Sequence, residues 1–350
     1  MRIVVLCGAE SLERYVSLES GLSVARALTE LGHEVEVIDP AAPHPVLAGP
    51  TRDADALPRF TSTGRLPDRD EAEDRRQMFS ALTHGPVLDA LRTADLAFLA
   101  LHGGWGGDGH VQSLLEMARI PFTGAGSAQC SLAWDKRRTL QLLPHAGVRV
   151  GPWTAHRADD GHLPPEPVAL LKEGPVVVKS AAGTAHELLH LVCVEEELSR
   201  VLHGMPRGEE VVLTPYLPGR EFSVGVLGRR VLPAVEYAFD GPFLDYRQKY
   251  AEGGASHTCP APIPPRLERH LREQALRAHR AVGLGDEDYS RSDFRCDVQG
   301  EPHCLEVNAC PGLRTTSALA HGAAGAGLTY PALIDQIVRL RRHDSGHDGR

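Results

Sequence analysis

Lysine is nearly missing from this chain. Of its 37 lysine and arginine residues only four are lysines, at Lys136, Lys172, Lys179 and Lys249. Where charge is carried almost wholly by arginine, a surviving lysine is a candidate for a place that needs a compact ammonium rather than a planar fork. Basic blocks are missing too, and the formal net charge is -9 with a pI near 6.0, which argues against nucleic acid and anionic membrane as partners. No run reaches the roughly 18 apolar residues of a membrane span, and "MRIVVLCGAE" lacks a basic segment leading into a long apolar one, so a cytoplasmic location is expected. There is no C-x-x-C among Cys7, Cys130, Cys193, Cys259, Cys296, Cys304 and Cys310, which reads as reduced, mostly buried thiols instead of a disulfide frame or zinc site. The 18 histidines include one H-E-x-x-H spacing, in "HELLH" (186–190). No G-x-x-x-x-G-K-[ST] phosphate loop occurs, and "LCGAES" after the first strand lacks the G-x-G-x-x-G of a dinucleotide fingerprint.

What is present alternates. "RIVVLC" (2–7) reads as a buried strand, 17–32 as a helix with Leu18, Leu22, Ala25, Leu28 and Leu31 on one side and Gly32 as its stop, and "EVEVI" (34–38) as the next strand. A Pro- and Asp-rich stretch over 40–70 reads as a loop, 73–94 as helical, and "LAFLAL" (96–101) as a third strand. This order predicts a parallel sheet flanked by helices. Further on, a helix over 127–146, strands at 175–180, 209–217, 220–228, 290–297 and 303–309, and helices at 265–283 and 329–342 are expected, with strands 209–217 and 220–228 meeting at a Pro-Gly turn. At 350 residues, two or three domains are expected.

The pair 290–297 and 303–309, joined by "VQGEP", carries the clearest chemistry. In "CLEVNACPG" the strand period places Glu306 and Asn308 on one face, opposite Leu305 and Val307, while Asp293 and Arg291 share a face of the neighbouring strand. Two carboxylates and an amide suit Mg²⁺, which takes hard oxygen ligands and keeps positions open for phosphate and water. Spacing alone leaves open whether this is a metal site or an Arg–Asp–Glu ion network on a sheet. Lys179 ends a buried strand, Lys136 in "LAWDKRRT" lies within the expected 127–146 helix, where a surface charge is the usual reading, and Lys249 lies in the polar, glycine-ended "DYRQKYAEGG" beside Tyr246 and Tyr250. "LHGGWGGDGH" is a glycine-rich loop entering a helix after Gly109, where backbone amides can hold an anion. Glu13 and Ser17 lie at the mouth of the first strand–helix unit, where α/β domains bind small ligands, although by itself Glu13 reads first as a first-turn acid favoured by the helix dipole.

Taken in order, "SLERYVSLESG", "LHGGWGGDGHVQSLLE", "PFTGAGSAQCSLAWDK", "GPVVVKS", "YLPGREFSVGVLG", "DYRQKYAEGG", "RSDFRCD", "LEVNACPG" and "LTYPALIDQIV" resemble the D-alanine–D-alanine ligases of the ATP-grasp superfamily across nearly the whole chain. The resemblance implies an α/β, three-domain ATP-grasp architecture: an N-terminal parallel-sheet domain over 1–123, a central subdomain over 124–217, a C-terminal subdomain over 218–340 and a polar tail over 341–350. By it, Asp293, Glu306 and Asn308 match the ligands of one or two Mg²⁺ ions, for which Mn²⁺ can substitute. Lys136 and Lys179 match phosphate-binding lysines and Lys249 the lysine of a lid. Glu221 matches the ribose-binding acid, with Tyr216 and Leu217 in the hinge that holds the adenine of ATP. Glu13 would receive the ammonium of the first amino acid, near Ser17 and His102. Arg291 and the backbone of Gly312 would stabilise the oxyanion, and Ser317 with Lys249 would hold the second substrate's carboxylate. Members of the family are often homodimers, which no feature of this sequence establishes.

The implied activity joins two amino acids at the expense of ATP through an acyl phosphate, D-alanine being the default. One departure stands out. Where the family follows its strand lysine with Pro and a Glu-Gly-Ser-Ser-x-Gly loop, this chain reads "KSAAGTAHELLHL", leaving Thr184 and His186 as candidates for the missing serine that links the first-substrate acid to Tyr250. The altered loop motivates two alternatives: a specialised relative acting on another amino acid or a larger acyl donor, and a nucleotide-binding homologue without turnover.

Overall fold

The computed structural model describes residues 1–58, 70–158, 165–183, 189–244, 248 and 254–342. Lys249, Tyr250, Tyr246, Thr184 and His186 lie outside the described residues, as does the tail beyond 342.

The first sheet has the order β3-β2-β1-β4, from β1 (Arg2–Leu6), β2 (Glu34–Ile38), β3 (Val46–Thr51) and β4 (Leu96–Leu99). β1 pairs in parallel with β2 and β4. β3 is an antiparallel edge strand inside the stretch expected to be loop. Its residues are half-buried or exposed, so it carries no apolar run by which to be read. Between β1 and β2 runs α1 (Arg14–Glu30), which buries Leu18, Leu22, Ala25 and Leu28 against the sheet. Leu31 is exposed as the helix C-cap, outside the apolar face expected of it. Gly32, at φ +83°, donates to Thr29 O while His33 donates to Leu28 O, a left-handed stop that glycine adopts without a Cβ clash. The expected helix over 73–94 is two, α2 (Glu71–Thr83) and α3 (Gly85–Thr93), because His84 is extended and Pro86 starts the second. The opposite face of the sheet is covered by α2, α3 and α5, where α4 (Gly104–Gly107) and α5 (His110–Met117) follow β4.

The expected helix over 127–146 is also broken. α6 (Ser127–Trp134) and α7 (Lys136–Leu142) are parted by Asp135, which bridges to Ala182. A second sheet, β5-β8-β6-β7, is built from β5 (Thr154–Arg157), β6 (Val176–Ser180), β7 (His190–Val192) and β8 (Glu210–Pro215), all antiparallel, with α8 (Pro165–Lys172) and α9 (Glu195–Gly204) beside it.

The third sheet follows β12-β11-β9-β13-β14, with β10 on β9; its strands are β9 (Glu221–Leu227), β10 (Arg230–Val231), β11 (Val235–Ala238), β12 (Ser256–Thr258), β13 (Tyr289–Cys296) and β14 (Pro302–Asn308). β8 and β9 therefore do not pair across the Pro-Gly turn; they belong to different sheets, and 216–220 crosses between them. Gly219 is required there, since a Cβ would lie 2.6 Å from Cys296 O. α10 (Pro265–Ala281) packs Leu271, Ala275 and Ala278 onto the face formed by Phe222, Val224, Val226 and Phe294. α6 joins this core through Cys130 and Ala133. After α11 (Ala318–Gly325), α12 (Tyr330–Arg342) returns to the first sheet and buries Leu333, Ile334, Ile337 and Val338 in the core that holds α1. No described helix is long and apolar enough to cross a membrane.

Candidate active site

With one face of β9 and β13 committed to α10, strand alternation turns Glu221, Ser223 and Gly225 to the other, with Arg295, Asp293 and Arg291 opposite them in register. β14 extends two of these rows, Asp293 facing Glu306 and Arg291 facing Asn308. The result is a ladder of polar residues on a sheet otherwise packed with apolar ones. Arg291 Nη2 donates to Asp293 Oδ2 at 2.8 Å and Glu306 Oε1 at 3.4 Å, and Ser223 Oγ donates to Asp293 Oδ1 at 2.7 Å. Burial disfavours the Arg291 cation, but Asp293, Tyr237 and Glu306 together outweigh it and hold its pKa well above normal. A bulge between Asp293 and Phe294 breaks the alternation, leaving Leu305 as the extra residue. Leu305 thus lies on the cavity wall with Glu306 instead of facing away from it, and its carbonyl accepts from Lys179 Nζ at 3.4 Å.

This ladder is one wall of a cavity to which all three sheet regions contribute. From the second come Lys179, at the end of β6, and Tyr216 and Leu217 in the crossing to β9. Lys136, brought up by the break at Asp135, donates to Gly183 O. Both lysines are buried, at 6% and 8% exposure, so their charge is directed into the cavity and not into bulk water. Glu221 lies 3.5 Å from Arg295, whose guanidinium covers the Tyr216 ring at 5.1 Å from its centroid. From the first come Glu13 and His102; a Cβ on Gly103, at φ +69°, would stand 2.9 Å from Ser11 Cβ and Oγ, so glycine lets the loop pass over Ser11 beside Glu13. His102 Nε2 is 2.8 Å from Ser20 Oγ, and burial lowers its pKa to about 4, partly opposed by Glu13. Gly312 completes the cavity.

Two expected residues stand elsewhere. Ser17 is fully buried and does not line the cavity; its hydroxyl donates to Ala100 O and accepts from Gly8 N–H, tying the first loop to β4. Ser317 caps α11, donates to Arg314 O at 2.8 Å and lies beside Gly312, outside the cavity lining. Arg295 and Trp134 line the cavity and were not anticipated. Arg295 was findable, being two residues beyond Asp293 on the same strand face; Trp134 had no such signal.

One nitrogen of Arg291 is reached by both carboxylates, so Asp293 and Glu306 converge on one point of positive charge. Asn308 Oδ1 accepts from Cys310 N–H at 2.9 Å and retains its second lone pair. Two carboxylates and an amide oxygen are hard donors, and they fit Mg²⁺. Among the described residues no group of three His, Cys, Asp or Glu side chains is placed to hold a metal.

The solved structures that the fold matches define its class. A D-alanine–D-alanine ligase from Bacillus anthracis superposes with a TM-score of 0.76 at 24% identity, covering 100% of both chains, and another structure of that enzyme, complexed with ATP, superposes with 0.74 at 22%. The fold of this chain is that of those structures. Family assignment follows from sequence: the D-ala D-ala ligase N-terminus matches residues 2–125 and the D-ala D-ala ligase C-terminus residues 142–339. The D-alanine–D-alanine ligase of Oleidesulfovibrio alaskensis is 35% identical over 342 residues, covering 97% of this chain and 96% of its own, and that of Lawsonia intracellularis 32% identical over 348, covering 98% and 99%. The chain belongs to the D-alanine–D-alanine ligase family.

Proposed function

We propose that the protein joins two D-alanine molecules in an ATP-dependent reaction. The observation that carries this reading is the convergence in one cavity of Glu13, the buried Lys136 and Lys179, and the Arg291–Asp293–Glu306–Asn308 ladder. Each is a group that the reaction needs. ATP is read into the cavity with its adenine beside Tyr216 and Leu217, its ribose on Glu221 and its phosphates on Lys136 and Lys179. Asp293, Glu306 and Asn308 would hold Mg²⁺, which when bound neutralises charge on the phosphoryl group in transfer.

Glu13 takes the ammonium of the first D-alanine, and His102, kept neutral by burial, adds no charge to compete with it. The carboxylate of that substrate attacks the γ-phosphorus, ADP leaves, and an acyl phosphate forms. The amine of the second D-alanine then attacks the carbonyl carbon. Arg291 and the Gly312 N–H hold the oxyanion until phosphate departs, so the protein's work is positioning and charge stabilisation. Lys249, Tyr250 and Ser317 are assigned to the second substrate and the lid by resemblance alone.

Incubation of the purified protein with ATP, Mg²⁺ and D-alanine tests the reading. Equal release of phosphate and D-alanyl-D-alanine is expected, with L-alanine inert. Nucleotide uptake without dipeptide from any pair of amino acids would reject it.

A further inference from the structure

We propose that the indole of Trp134 sets the size of the acyl-donor side chain this site accepts, an inference that rests on the ligase reading above. Trp134 is the last residue of α6, and the next residue bridges to Ala182 while Lys136 N–H donates to Ala181 O at 2.7 Å. The helix break is thereby stitched to the segment after Lys179, and the indole is carried to the cavity wall. Glycine lies on each side of it. A Cβ on Gly107 would stand 3.0 Å from Cζ3, and one on Gly183 would stand 3.5 Å from Cζ2. The first separation is too short for an ordinary carbon contact, so any side chain at Gly107 would push the ring aside.

These glycines come from distant parts of the chain. Gly107 ends the short helix that follows His102, and Gly183 accepts from Lys136 Nζ through its carbonyl. The ring therefore stands between the loop beside Glu13 and the lysine assigned to phosphate. A donor whose ammonium is on Glu13 and whose carboxylate points toward the phosphates must extend its side chain within reach of this half-buried plate. A methyl group fits against a flat apolar wall; a longer chain meets it.

The test uses the full-length protein with ATP, Mg²⁺, excess D-alanine as acceptor and either D-alanine or D-norvaline as donor, the N-terminal residue of the dipeptide being read by fragment-ion mass spectrometry. Trp134→Ala is expected to lower the ratio of kcat/KM for D-alanine over D-norvaline by at least about tenfold, and Trp134→Phe to keep it within about threefold. A second readout does not require turnover. With Trp105 and Trp153 replaced by phenylalanine, the fluorescence of the remaining Trp134 is expected to change on adding D-alanine with ADP and Mg²⁺, and not with D-norvaline. An unchanged ratio in Trp134→Ala, with both donors slowed equally, would reduce the indole to loop packing and overturn the proposal. A fluorescence signal that ignores D-alanine would overturn it as well, whether or not dipeptide forms. Failure of the ligase reading shows separately, as no dipeptide from the unaltered protein.

Discussion

Glu306 faces Asp293 across the β13–β14 ladder, and a single nitrogen of Arg291 contacts both carboxylates. Two acids directly opposite each other on antiparallel strands repel unless a cation lies between them. Arg291 meets that need in the protein alone, and the same convergence suits a divalent ion. The two interpretations of this motif are thus compatible: an ion network without metal and an oxygen ligand set with it.

Glu306→Gln removes one charge from that pair while preserving its shape. Dipeptide formation is expected to fall by at least about 100-fold, with the apparent affinity for Mg²⁺ reduced and the melting temperature little changed, because Asp293 keeps Arg291 as its partner. Steady-state rates across a Mg²⁺ titration, alongside thermal melts, check this. A variant with full activity would remove Glu306 from the site.

Arg295 is expected to act on nucleotide binding. It pairs with Glu221 at 3.5 Å, both side chains nearly buried, and covers the rings of Tyr216 and Phe239. Arg295→Ala strips Glu221 of this cation and loosens the crossing that Tyr216 belongs to. KM for ATP should rise about tenfold, with KM for D-alanine moving far less, and stability should fall by about 3 kcal/mol. ATP-dependent kinetics and denaturant melts measure the two effects independently.

Acid should destabilise the fold partly through His102. Its folded pKa is about 4, lowered first by burial, against roughly 6.5 for an unfolded histidine. Between those values the unfolded chain binds the extra proton, so stability is lost as pH falls from about 6.5 to about 4. The histidine's share reaches about 3 kcal/mol at the bottom of that window. His102→Gln should therefore show a shallower fall in melting temperature over this range than the unaltered protein, and parallel curves would contradict the assignment.

The thiols report on packing. Cys193 is exposed, while Cys7, Cys130, Cys296 and Cys304 are buried; burial raises the pKa of Cys7, Cys296 and Cys304, and the hydrogen bond with Cys310 followed by burial raises that of Cys130. A native titration with an aromatic disulfide reagent should therefore modify Cys193 rapidly and leave those four unreacted until denaturant is added. Fast reaction of the buried four would show that the cores around them are not packed as described.

Much of the site was legible because strand period is a local property. The i, i+2 spacing of Glu306 with Asn308 and of Arg291 with Asp293 fixes which side chains share a face, whatever the rest of the chain does. Lysine scarcity pointed to Lys136 and Lys179, and both line the cavity. Amphipathic α1 and α10 were readable for the same reason, since an apolar stripe at helical spacing needs no knowledge of its partner. What neighbours decide was not readable. Ser17 looked like a ligand-binding hydroxyl until β4 and the first loop were found to use it, and the 209–228 strands looked like a hairpin until they joined separate sheets. Leu305 required the bulge, and Trp134 required two glycines distant from it in sequence. The sequence by itself determined which residue types share a face wherever an element runs regularly. Only the tertiary structure decided which faces meet across the cavity, because that depends on contacts between segments far apart along the chain, which no local pattern encodes.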